Sequence, residues 1–78
     1  MREKKLWALA SFRTTAAAIA MEQACARENV PGRLIPVPTS ITADCGMAWR
    51  CAPDARGASA AAAERAGAEI DRWYELLL

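Results

Sequence analysis

Apolar residues fall along this chain in blocks whose spacing changes from one block to the next. Leu6 to Phe12 is an almost unbroken apolar run, too short for a helix and suited to a central strand covered on both faces. From Thr14 to Glu28 the residues become Ala, Met, Glu, Gln and Arg, which are good helix formers. Ala18, Met21 and Cys25 recur there at helical spacing. Thr14 or Thr15 can cap the first turn of this helix. Its end is signalled by Asn29, which tolerates a left-handed backbone, by Val30, which can fold back on the last turn, and by Pro31, which cannot continue it.

Arg33 to Val37 reads as a strand, and Pro36 and Pro38 restrict it to a sheet edge because neither can donate a ladder hydrogen bond. Thr39 to Asp44 is polar and turn-like. Cys45 to Cys51 then alternates, with Cys45, Met47, Trp49 and Cys51 on one side and Gly46, Ala48 and Arg50 on the other. That is the pattern of a half-buried strand. Pro53 and Asp54 suit the opening of a second helix, which runs through alanines to Ala66 and stops at Gly67. Ile70 to Leu78 is a final strand carrying Trp73 and Tyr74.

The order strand, helix, strand, strand, helix, strand, joined by right-handed crossovers, predicts an α+β ferredoxin-like βαββαβ fold. It has a four-stranded antiparallel sheet with two helices on one face. Residues 1–78 are read as a single domain, with 1–5 a loose N-terminal end. Of the apolar residues that make up 54% of the chain, 19 are alanines, so the core bulk has to come from the strands. Trp7, Trp49 and Trp73 are accordingly expected as core fillers. A domain of ~60 residues buries only about 60% of its unfolded surface, and chemistry in a chain of 78 residues is therefore expected at a surface or shallow groove. Strand one carries apolar residues at both parities, leaving an apolar stripe on the face away from the helices. A homodimer or partner contact is expected there.

Charge narrows the function classes. Ten Lys and Arg against nine Asp and Glu give +1, too even a balance to attract nucleic acid or an anionic membrane through net charge. Glu3 interrupts the terminal basic cluster Arg2, Lys4 and Lys5. No histidine is present, which removes the commonest general base and metal ligand. Leu6 to Phe12 is at the low limit for a signal core, and no window approaches the ~18 apolar residues of a membrane span. A cytoplasmic location without membrane or nucleic-acid partners is the expectation, with no cofactor and no metal. Cys25, Cys45 and Cys51 are an odd number with no Cys-x-x-Cys pair, so reduced thiols are expected.

Two segments carry the candidate chemistry: Arg33-Leu34-Ile35-Pro36-Val37-Pro38, and the run from Ile41 through Asp44-Cys45-Gly46-Met47-Ala48-Trp49-Arg50. With Ala20-Met21-Glu22 and Gly67-Ala68-Glu69-Ile70, they resemble a family of small selenium/sulfur carrier-like proteins, from about Trp7 to Leu76. The most specific element is the proline-flanked edge strand, a short loop, then Cys-Gly-x-Ala-x-Arg. The sequence departs from the family pattern at Thr39, where a basic residue is expected, and in its alanine-filled second helix.

The resemblance implies that Cys45 carries sulfur or selenium as a persulfide or selenosulfide and that Gly46 supports it by close backbone approach. A cysteine desulfurase or other chalcogen donor and an acceptor protein are the implied partners, and a carrier or binding module is implied rather than an enzyme. Independently, Cys45 sits at a loop-to-strand junction, where Gly46 allows backbone N–H groups to turn toward a sulfur anion. Asp44 acts the other way, its carboxylate opposing a neighbouring thiolate. Cys25 falls on the apolar face of the first helix. Cys51 lies six residues beyond Cys45, roughly 20 Å along an extended strand, which is too far for a disulfide. Arg50, at the opposite parity, is expected to reach solvent or a partner. The alternative function is a non-catalytic ferredoxin-like interaction or regulatory module that uses the open sheet face. A hydrolase of acylphosphatase type would need an Arg/Asn constellation and a phosphate-cradling loop that this chain does not present.

Overall fold

A computed structural model describes residues 3–41 and 44–78. Arg2 and the Thr42-Ala43 part of the candidate motif lie outside the described residues. The elements run β1 (Leu6–Ser11), α1 (Thr15–Arg27), β2 (Arg33–Pro36), β3 (Met47–Cys51), a short 3₁₀ turn (Pro53–Ala55), α2 (Arg56–Ala66) and β4 (Arg72–Leu77). The strands form one antiparallel sheet in the order β2-β3-β1-β4, as the ferredoxin-like reading requires. Edge strand β2 ends at Pro36, where a missing N–H costs no central ladder bond. Pairing continues past the end of β4, since Lys5 and Leu78 donate to each other's carbonyls at 3.0 and 2.9 Å. The ladder therefore reaches one residue into the 1–5 segment.

The caps follow the residues. Thr14 is extended, and its hydroxyl accepts from the Ala17 N–H at 3.1 Å, an arrangement worth roughly 1 kcal/mol. At the other end Asn29 has φ +57°, and Val30 donates to the Cys25 carbonyl at 2.8 Å. This closes a Schellman motif with asparagine in the usual glycine position. Gly67, at φ +71°, ends α2, and Ala68 reaches back to the Ala63 carbonyl at 2.9 Å. Between the helices Arg65 Nε donates to Glu28 Oε2 at 3.0 Å, and the guanidinium holds the Glu28 carboxyl below its ordinary range. This exposed pair orients the helix ends more than it stabilises them.

The main core lies between the helices and one face of the sheet. α1 contributes Ala18, Met21, Ala24 and Cys25, and α2 contributes Ser59, Ala62 and Ala63. With only small side chains on its inner face, α2 can sit close to the sheet, and Phe12 and Trp49 fill the space. Trp49 is buried, its indole N–H donating to the Ser59 hydroxyl at 3.1 Å. Gly32 provides its floor, for a Cβ built there would lie 2.4 Å from the Trp49 ring and 2.8 Å from the Arg50 carbonyl.

The tryptophans divide between the two faces, which corrects the expectation that all three fill the core. Trp73 is half-buried on the helix side with Arg56 5.1 Å above its ring, and Trp7 lies on the opposite face. Strand parity is the reason: Trp7 neighbours Ala8, which faces the helices, and alternation turns Trp7 away. The opposite face has its own apolar cluster, with Leu9, Ala48 and Ile41 buried and Trp7, Ile35, Val37, Tyr74, Leu76 and Leu78 around them.

Replacing Gly32 with alanine is expected to push the Trp49 ring off its floor and lower stability by about 1–3 kcal/mol. Ser59→Ala strands the buried indole N–H and is expected to cost a similar ~1–3 kcal/mol. Urea unfolding with an unchanged slope and a lowered midpoint is the outcome expected for both variants. A wild-type midpoint for either would show that Trp49 is not held as described.

Candidate functional site around Cys45

Cys45 lies just outside the sheet. The strand expected from Cys45 begins instead at Met47, because Gly46 takes φ +77°, a left-handed conformation that an extended ladder does not contain and that L side chains rarely adopt. Val37 donates to the Gly46 carbonyl at 3.0 Å, clasping the two ends of the β2–β3 loop together. Inside the clasp Ile41 donates to the Pro38 carbonyl at 3.0 Å. The loop packs on both faces of the sheet, with Ile41 and Val37 in the cluster away from the helices and Cys45 against the cluster beneath them.

The sulfur is half-buried and has two backbone neighbours. The Met47 N–H donates to Sγ at 3.4 Å, and the protonated thiol can donate to the Met47 carbonyl at 3.4 Å. The amide expected to serve the sulfur through Gly46 is therefore that of Met47, which the left-handed glycine turns back onto residue 45. The N–H can hold a sulfur anion at this position, and the carbonyl can accept the thiol proton. Asp44 is exposed beside it.

The other cysteines have a different environment. Cys25 and Cys51 are 0% and 1% exposed, and burial pushes both thiols up, with the Ser59 hydroxyl offsetting part of that rise for each. They share Ser59 with the Trp49 indole in the core, as expected for structural cysteines. Ser59 gave no motif signal within its alanine run, and the only clue to it is that a buried indole needs an acceptor.

The antiparallel register places the start of β3 at the same end of the sheet as the end of β1, with Ala48 opposite Ser11. The first turn of α1 and the Arg13–Asp71 ion pair, at 3.1 Å, lie at that end. A cleft of about 350 Å³ lined by Arg13, Thr14, Ala17, Glu69, Ile70 and Asp71 opens there, and Cys45 does not line it. Arg50 projects from the face away from the helices, its guanidinium carbon 4.1 Å from the centre of the Trp7 ring. Among the described residues no group of three His, Cys, Asp or Glu is arranged to hold a metal ion, and no helix is long and apolar enough to cross a membrane.

No curated protein and no solved structure matches this chain. A family model described as "Putative Se/S carrier protein-like" matches residues 8–75. The match takes in both proline-flanked β2 and the Cys45-Gly46 turn, and with it the chain belongs to the Se/S carrier protein-like family.

Proposed function

We propose that the protein is a sulfur or selenium carrier in which Cys45 holds the chalcogen as a persulfide or selenosulfide. The observation that carries this reading is the contrast among the thiols: Cys45 is partly accessible at a clasped loop end with a backbone N–H on its sulfur, while Cys25 and Cys51 are sealed in the core. Family membership supports it. The donor is a cysteine desulfurase or another protein bearing a persulfide, the acceptor is a second protein thiol, and the setting is a reducing compartment such as the cytoplasm.

The exchange needs no oxidant. The Cys45 thiolate attacks the outer sulfur of a donor persulfide, a new S–S bond forms, the donor's S–S bond breaks, and the donor leaves as a thiolate. An acceptor thiolate then attacks the outer sulfur on Cys45, and Cys45 is released as a thiolate. With selenium as the outer atom, the same sequence proceeds through Cys45–S–Se. The protein's own part is to present the sulfur, steady the leaving thiolate with the Met47 N–H, and keep the chalcogen away from the core thiols. A shuttle of this kind needs no strongly activated nucleophile, because the donor has already activated the transferred atom.

Incubation with a cysteine desulfurase and cysteine is expected to add the mass of one sulfur atom to the intact protein, reversibly with dithiothreitol. The adduct should map to Cys45, disappear in Cys45→Ser and persist in a Cys25→Ala/Cys51→Ala variant. No adduct, or one retained in Cys45→Ser, would overturn the carrier reading.

Alkylation under native conditions provides a separate check. Iodoacetamide is expected to modify Cys45 well ahead of Cys25 and Cys51, which should react only on the timescale of unfolding. Equal rates for the three thiols would contradict the burial contrast on which the reading rests.

A further inference from the structure

The sheet segregates charge between its faces. Of the strand residues, all three arginines, Arg33, Arg50 and Arg72, stand on the face away from the helices, whereas the single carboxylate, Glu75, pairs with Ala8 on the helix side. None of these arginines has a carboxylate within ion-pair distance among the described residues. Arg33 and Arg50 are direct cross-strand partners, a like-charge juxtaposition that destabilises a bare sheet and that a bound anion would relieve. The even net charge of the chain therefore hides an uneven surface.

The same face presents planar groups. One row across all four strands reads Arg33, Arg50, Leu9 and Tyr74, of which Leu9 is buried beneath its neighbours, with Trp7 and Leu76 in the adjacent row. Arg50 is stacked over Trp7, and its Nε is buried there without a hydrogen-bond partner. The indole face takes the place of a hydrogen-bond acceptor, so the guanidinium is held against the sheet. Three inter-strand steps make the row about 14 Å wide, enough for two or three nucleotides laid across a sheet of this kind.

We propose that this face binds single-stranded nucleic acid, with bases stacking on Tyr74 and on the Arg50–Trp7 pair and phosphates lying over Arg33 and Arg72. A second copy of the chain is a poorer occupant, because two-fold pairing sets each arginine-bearing face against another. An acidic protein segment would answer the charge but leave the planar groups unused, and base stacking uses both. The inference rests on these side chains and not on the fold, and it is independent of the chemistry at Cys45.

The test is fluorescence anisotropy of the full-length protein with fluorescein-labelled oligo(U) and oligo(dT) of roughly 12 nucleotides. Saturable binding is expected at low salt for either probe. With about 0.7 of log–log slope for each phosphate contact, the two phosphate-bound arginines predict a slope near −1.4, or about a 7-fold loss from ~50 to ~200 mM salt. Arg33→Gln and Arg72→Gln alter exposed side chains and should each reduce the slope by about 0.7. Arg50→Lys should weaken binding with the slope unchanged, since it keeps the charge and loses the planar stack, and Cys45→Ser should bind as wild type does. Absence of saturable binding, or wild-type affinity in the Arg33→Gln/Arg72→Gln double variant, would overturn the proposal. So would equal competition by a polyglutamate of matched charge, which would reassign the face to an acidic protein segment, or self-association that excludes the oligonucleotide.

Discussion

The placement of one indole governs much of this small domain. Trp49 is the largest buried side chain of the helix-side core, and it belongs to β3, the strand joining edge strand β2 to central strand β1. Its N–H is satisfied by Ser59 of α2, and its ring rests on the bare backbone of Gly32 at the entrance to β2. A single side chain thus ties the second helix to the sheet and fixes the approach of the edge strand. The alanines follow from this placement. A helix whose inner face is Ser59, Ala62 and Ala63 lies close enough to meet the indole, and larger residues there would hold it away.

That constraint also sets the position of Cys45. β3 is held in register by pairing on both sides and by the seat of Trp49, so its first residue, Met47, presents its amide at a fixed point. Gly46 then reverses the chain, and residue 45 falls beside that amide rather than continuing the ladder. The spacing between Cys45 and Trp49 is therefore a mechanical one: two strand residues and one left-handed residue separate the sulfur from the anchor. A one-residue deletion or insertion in this interval would shift the residues on the Cys45 side of Trp49 by one position and turn them to the opposite face.

Much of this was legible in the sequence because local chemistry and global pattern agree. Asn29-Val30-Pro31, Gly67 and Pro36 each have one conformational reading, and each marks the boundary the fold uses. The start of β3 is not legible in the same way, because alternation alone admits Cys45 to the strand and a glycine's positive φ is invisible to a period-two pattern. The face on which Trp7 lies is hidden for a related reason. β1 is apolar at both parities, so its pattern does not say which face meets the helices. Ser59 and Gly32 carry no motif at all, since their roles exist only relative to an indole that arrives from another part of the chain.

The two faces of the sheet have different chemistry, and the β2–β3 loop is the element that touches both. On the helix side it delivers Cys45 to the rim of a core that contains the remaining thiols but shields them. On the other side Ile41 and Val37 cover part of the apolar centre around Leu9 and Ala48. Among the described residues of the loop there is no helix or strand, and these contacts and the Val37–Gly46 clasp hold its two ends. A ligand on the arginine-bearing face would rest on the side chains that cover the same buried Leu9 and Ala48 against which Ile41 packs. The two sites thus share a common support, although the sheet lies between their reactive groups. In a domain this small, using both surfaces of one sheet is how two sets of contacts can fit on 78 residues.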